Sequence, residues 1–217
     1  MNRLLNIAAK TLSVVLHPLF VPSYGVALFC STYANAMPDT ASYRLAIVMI
    51  STIVLTCLMP MAVILYQLRK GSVSDLQLSN RAERRDSYMA CMAGYLVWSF
   101  LLSKMQDIPF LLAVTATGAT VALLIVMLVN RWWKISAHLT GLGGFMGGFM
   151  SYCLFTNTVL SWQILIIGVC VTLLLMFARL YLHAHTPEQV CAGWLVGISC
   201  TSLPLFIAYH VLSHASI

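Results

Sequence analysis

Between two long apolar runs lies the stretch Arg179-Leu-Tyr-Leu-His-Ala-His185-Thr-Pro-Glu-Gln189-Val-Cys-Ala-Gly193. One arginine, two histidines and a glutamate stand there beside apolar sequence, where every ionisable group needs a reason. Two further polar knots, Arg81-Ala-Glu-Arg84-Arg85 and Lys134-Ile-Ser136-Ala-His138, interrupt the apolar pattern upstream. These residue types suit an anion. Guanidinium groups present planar forks to phosphate oxygens. Imidazole is nucleophilic when neutral and titrates near pH 7, so one ring can attack while another donates a proton. We read the three knots as one phosphate-handling site. A metal site at His183, His185 and Glu188 is disfavoured, because alternate residues on a helix do not share a face.

The elements that must gather these knots are membrane helices. The chain has 217 residues, 60% hydrophobic and 8% charged, where soluble domains carry about 25% charged residues. Apolar runs of about 20 residues recur along its length, each long enough to cross a ~30 Å hydrocarbon layer as a helix. The expected fold is all-α: a multi-span transmembrane helical bundle with six to seven apolar segments, forming a single integral membrane domain over residues 1–217. The segments are residues 7–33, 43–68, 87–104, 110–130, 136–155, 159–183 and 187–211. His17-Pro18 and Pro22 to Gly25 interrupt the first, which predicts a kink or half-span. Asp107, Ile108 and Pro109 predict a turn.

Local signals place the knots at segment ends. Ser79-Asn80 can cap a helix that begins at Arg81, with Arg81, Arg84 and Arg85 on neighbouring positions of one face. Thr186-Pro187-Glu188-Gln189 is a helix start, with threonine as cap, proline at the first position and glutamine closing a capping box. Gly143/Gly147 and Gly144/Gly148 are two overlapping G-x-x-x-G pairs that permit close helix approach. Two apolar segments separate each knot from the next. If each pair crosses the membrane twice, all three knots face one side. Arg3, Lys10, Arg69, Lys70 and Arg131 lie on that side, against Arg44 and Lys104 opposite, so the positive-inside rule points it to the cytoplasm.

The formal net charge of +6 comes from basic residues clustered at span ends. Anionic headgroups or phosphates are the partners this implies, not nucleic acid. The seven cysteines show no C-x-x-C pair or framework spacing, and read as small buried hydrophobes, not disulfides or metal ligands. The N-terminal run lacks a small-x-small cleavage site and reads as a retained span. The expected location is the cytoplasmic membrane of a bacterium.

Ser136-Ala-His138 resembles the second signature of the type 2 phosphatidic acid phosphatase superfamily, Pro-Ser-Gly-His. Arg179 followed after five residues by His185 resembles the third, Ser-Arg-x5-His-x3-Asp. Arg81 to Arg85 loosely resembles the first, Lys-x6-Arg-Pro. The resemblance covers residues 70–193. The sequence departs from the pattern at Gln189, where the superfamily has aspartate, at Ala137 and Ala178, and at Ile135 before the serine. No lysine precedes an arginine by seven in the first motif, and no proline follows one.

The resemblance implies metal-independent covalent chemistry without a cofactor. His185 would attack phosphorus to form a phosphohistidine, and His138 would protonate the leaving oxygen. Arg81, Arg84, Arg85, Lys134, Ser136 and Arg179 would surround the phosphate oxygens. Gln189 would orient His185, although an amide cannot neutralise an imidazolium as a carboxylate does. The implied activity is hydrolysis of a phosphate monoester or pyrophosphate on a membrane lipid. Substrates of that kind include polyprenyl diphosphate, phosphatidate, phosphatidylglycerophosphate, lipid A phosphate and sphingolipid phosphate. The alternatives are a relative that binds, flips or transphosphorylates a lipid phosphate, and a small-molecule transporter.

Overall fold

The computed structural model describes residues 3–33, 42–105, 110–156 and 159–214. The turn expected at Asp107 to Pro109 lies outside them. The described residues form nine α-helices and no strand. These are α1 (Arg3–Val15), α2 (Val21–Tyr33), α3 (Ser42–Thr52), α4 (Met59–Arg69), α5 (Arg84–Lys104), α6 (Phe110–Val129), α7 (Ala137–Thr156), α8 (Val159–Tyr181) and α9 (Pro187–His214). A π-helical segment, Ile53–Leu58, joins α3 to α4, and a 3-10 turn, Arg81–Glu83, leads into α5.

Four stretches are long and apolar enough to cross a membrane: Tyr43–Arg69, Phe110–Val129, Trp162–Tyr181 and Pro187–Ile207. Helices α5 and α7 have similar lengths, 21 and 20 residues. Charge at the start of α5 and glycine throughout α7 keep them outside that apolar group. The first expected span is split. Helices α1 and α2 have 13 residues each, about 20 Å apiece, which is too short to cross alone. Pro18 cannot donate to the carbonyl one turn back, so α1 ends before it. Pro22 sits in the first turn of α2, where no donor is needed. The Tyr24 hydroxyl closes the elbow by donating to the Val15 carbonyl at 2.9 Å.

Helix α7 sits in the middle, against α2, α6, α8 and α9, and its tightest partner is α9. The glycine pairs explain the closeness. A Cβ at Gly143 would strike the Trp194 carbonyl, and one at Gly147 would strike the Thr201 hydroxyl. Helix α9 answers with its own row: a Cβ at Gly193 would meet the Ser136 carbonyl, and one at Gly197 the Thr140 carbonyl. Small residues on both helices thus let backbone approach backbone. Replacing Gly197 by alanine forces the two apart, at a cost of about 1–3 kcal/mol. The expected result is a lower melting temperature in detergent. Gly141→Ala is the control, because a Cβ there finds its nearest neighbours at 3.6 Å.

No disulfide joins any of the cysteines. Cys57, Cys91 and Cys153 are buried as expected, whereas Cys170 and Cys191 are exposed on the outer surface of α8 and α9.

Candidate functional site: a buried cationic pocket

The three knots meet at one end of the bundle, where α5, α7 and α9 begin and α6 and α8 end. Their contact is direct. The Ser136 N–H donates to the Gln189 carbonyl at 3.2 Å, which joins the start of α7 to the start of α9. A guanidinium N–H of Arg84 reaches Oδ1 of Asn130 at 3.3 Å and the Ile135 carbonyl at 3.5 Å, which joins the first knot to the second. Arg179 reaches Oε1 of Gln77 at 3.2 Å, in the loop before α5.

Asn80 caps the 3-10 turn by accepting from the Ala82 N–H at 3.1 Å. The turn delivers a single arginine inward. Arg84 is buried, with Nε donating to the Leu78 carbonyl at 2.7 Å. Arg81 and Arg85 are exposed and are not gathered with the buried cations. Arg81 lies one turn further out and braces the end of α6 by donating to the Arg131 carbonyl at 2.9 Å. Arg85 follows Arg84 about 100° around the helix and so faces away.

Ser136, His138, Arg179 and His185 are all buried, and Lys134 is half-buried beside them. The hydrogen bonds of Arg84 and Arg179 go to neutral oxygens of Leu78, Asn130, Ile135 and Gln77. Two polar atoms in the pocket have no partner: Oγ of Ser136 and Nε of Arg179. An unsatisfied buried guanidinium N–H is costly. Ser136 precedes α7, yet its hydroxyl leaves the helix N–H groups uncapped. These donors and the N-terminal end of α7 fit an oxyanion with several acceptor oxygens. Asp75 is the carboxylate whose field reaches Lys134 and Arg179, but its oxygens already accept from the N–H groups of Gln77 and Ser79.

Each histidine is held in a defined tautomer. Nδ1 of His185 lies 3.0 Å from Oε1 of Gln189, and the same oxygen accepts from the Thr186 N–H at 3.3 Å. A backbone N–H can only donate, so the glutamine presents oxygen, and Nδ1 of His185 must carry the proton. Nε2 is left with its lone pair. One glutamine therefore closes the capping box and orients the ring, as its position predicts. Nε2 of His138 lies 3.0 Å from the Ser13 carbonyl, which fixes the proton on Nε2 and leaves Nδ1 open. Ser13 is in the last turn of α1. The His17 ring, on the α1–α2 elbow, meets the His138 ring edge to face at 5.3 Å. Sequence motifs assign no role to Ser13, His17, Gln77 or Asn130. The available signals were a histidine beside proline at a helix break and an asparagine closing an apolar run.

Burial pushes the His185 imidazole down to about 4; the Gln189 bond opposes this, and Arg179, Arg84 and Lys134 reinforce it. Burial also lowers the Lys134 ammonium, with Arg84 and Arg179 adding to the effect and Asp75 opposing it. At neutral pH His185 is thus an uncharged base surrounded by cations. Unfolded, the ring takes a proton near pH 6.5; folded, only near 4, so acid drives the chain towards unfolding across that window. Between pH 7 and pH 4.5 the melting temperature of His185→Gln is expected to fall less than that of the unchanged protein.

No protein-family model, curated protein or solved structure matches the chain. Among the described residues, fold and site define an all-helical protein with four helices long and apolar enough to cross a membrane and a buried cationic cluster at one end of its bundle.

Proposed function

We propose that the protein is a membrane lipid phosphatase that hydrolyses a phosphate monoester or pyrophosphate through a phosphohistidine. The carrying observation is the pairing of a neutral His185, its Nε2 unprotonated, with unsatisfied buried donors of Arg179 and Ser136. Six crossings, made by the continuous α3–α4 rod and by α5 to α9, accommodate the bundle, with the α1–α2 elbow laid over the pocket.

The chemistry divides among the residues as follows. Arg179, Arg84, Lys134 and Ser136 hold the non-reacting oxygens and spread the charge of the transition state. Nε2 of His185 attacks phosphorus, and the bond to the lipid oxygen breaks. His138 gives a proton to that oxygen, one it takes up on Nδ1 as the entering phosphate dianion offsets the surrounding cations. Water then attacks the phosphohistidine, with His138 as base, and releases phosphate. Gln189 keeps the His185 ring aligned through both steps.

Phosphate release by the purified protein from phosphatidate, phosphatidylglycerophosphate, polyprenyl diphosphate, lipid A phosphate and sphingolipid phosphate tests the proposal, in chelator so that metal-dependent contaminants are silent. Release from at least one lipid is expected. A second reading is favoured by Gln189, which cannot neutralise an imidazolium: the pocket binds or flips a lipid phosphate without cleaving it. Tight binding with no release from pH 5 to 9 would establish that reading and end the first.

A further inference from the structure

An apolar slot runs through the bundle alongside α7, beginning at the level of the cationic cluster. Its near end is formed by Pro18, Ala137 and Thr140, chain neighbours of His17, Ser136 and His138, and its far end by Phe29, Trp98 and Tyr152. The cavity is about 150 Å³. The hydroxyls of Thr115, Thr140 and Thr201 are turned back onto carbonyls of Leu111, Ser136 and Gly197. The slot therefore meets little that would hold water.

Of the four glycines that line it, Gly148 is held by packing, since a Cβ there would meet the Thr115 side chain at 2.6 Å; the other three differ from those that seal α7 to α9. A Cβ at Gly141 would lie 3.6 Å from Pro18, one at Gly144 would lie 3.6 Å from Thr201, and one at Gly25 would lie 3.4 Å from Phe145. A methyl fits at each place. Helix packing does not demand glycine at these three positions, and glycine weakens a helix relative to alanine. What their missing side chains provide is width along the slot. The pocket beyond is nearly closed to bulk water, with His138 4% and His185 8% exposed.

We infer that this slot holds one hydrocarbon chain of the phosphorylated lipid, and that its length, ending at Phe29, Trp98 and Tyr152, sets the longest chain accepted. The inference rests on the lipid-phosphate reading of the pocket. From Ala137 to Tyr152 the helix rises roughly 22 Å, the extended length of a chain of about 16–18 carbons. Each methylene drawn from water into the slot strengthens binding about fourfold. Gly144 and Gly141 are the positions where a larger side chain would shorten the space, a methyl being accommodated at both.

Binding of inorganic phosphate and of monoalkyl phosphates of increasing chain length to the full chain in nanodiscs tests this independently of turnover. Affinity is expected to climb with length and stop climbing near 16–18 carbons. Gly144→Phe is expected to move that ceiling to about half the length while leaving inorganic phosphate and hexyl phosphate unchanged. Gly141→Leu serves as a second variant should Gly144→Phe not fold, as judged by its helical circular dichroism. A rise with no ceiling, or a ceiling unmoved in a folded variant, overturns the slot and leaves the phosphate pocket standing. Absence of any binding, short or long, overturns both. Loss of short and long ligands alike in Arg179→Ala, together with the moved ceiling, supports both.

Discussion

Replacing His185 by alanine is expected to reduce phosphate release from a lipid substrate by at least about 10³-fold, because the variant loses the imidazole whose Nε2 makes the covalent attack. The reason lies in how the ring is prepared. Burial and three nearby cations keep it neutral, and the Gln189 oxygen holds the proton on Nδ1. Brief reaction with labelled substrate followed by alkaline quench would trap an acid-labile phosphoenzyme in the unchanged protein and none in His185→Ala. Equal release by the variant would remove His185 as nucleophile. His138→Asn provides the complementary test. Loss of a proton donor slows departure of an alkoxide far more than of a stable phenolate. The variant should therefore lose most activity on lipid phosphate and much less on a nitrophenyl phosphate. Equal losses on both would assign His138 to orientation only.

Arg179→Lys is expected to lower phosphate affinity and turnover by about 10²–10³-fold although the charge is kept. Arg179 is 4% exposed, its Nε has no acceptor, and its remaining bond is to the neutral Gln77 side chain. A lysine supplies a point charge in place of that fork. The same geometry makes a second, opposite prediction. A buried cation facing Arg84 without its own carboxylate costs stability in the empty protein. Arg179→Met should raise the melting temperature without ligand and abolish the rise that phosphate gives to the unchanged protein. A variant that melts lower, with phosphate stabilisation intact, would mean that Arg179 is a structural brace and that the anion sits elsewhere.

Much of the site is legible in the chain because charge is rare in it. Arginine or histidine beside a long apolar run stands out, and the spacings Ser136-x-His138 and Arg179-x5-His185 fall at helix ends the structure brings together. The double duty of Gln189 is local too, since a capping box places that side chain back on the preceding turn. Choosing among Arg81, Arg84 and Arg85 was beyond sequence. A 3-10 turn running into an α-helix sets which side chain points inward, and three adjacent basic residues look alike in a pattern. The groove between α7 and α9 was half visible: Gly143 and Gly147 were evident, but Gly193 and Gly197 were evident only as partners once the helices were paired.

Residue types, helical class and the rough positions of the polar knots were therefore set by the amino-acid order alone, through hydrophobic run length and the scarcity of charge. Tertiary structure decided the rest. It selected Arg84, brought the Ser13 carbonyl to His138, laid His17 against the same ring, and left Ser136 and Arg179 with unsatisfied donors. A backbone carbonyl carries no residue identity, and a hydrogen bond left unmade exists only relative to neighbours that distant segments supply.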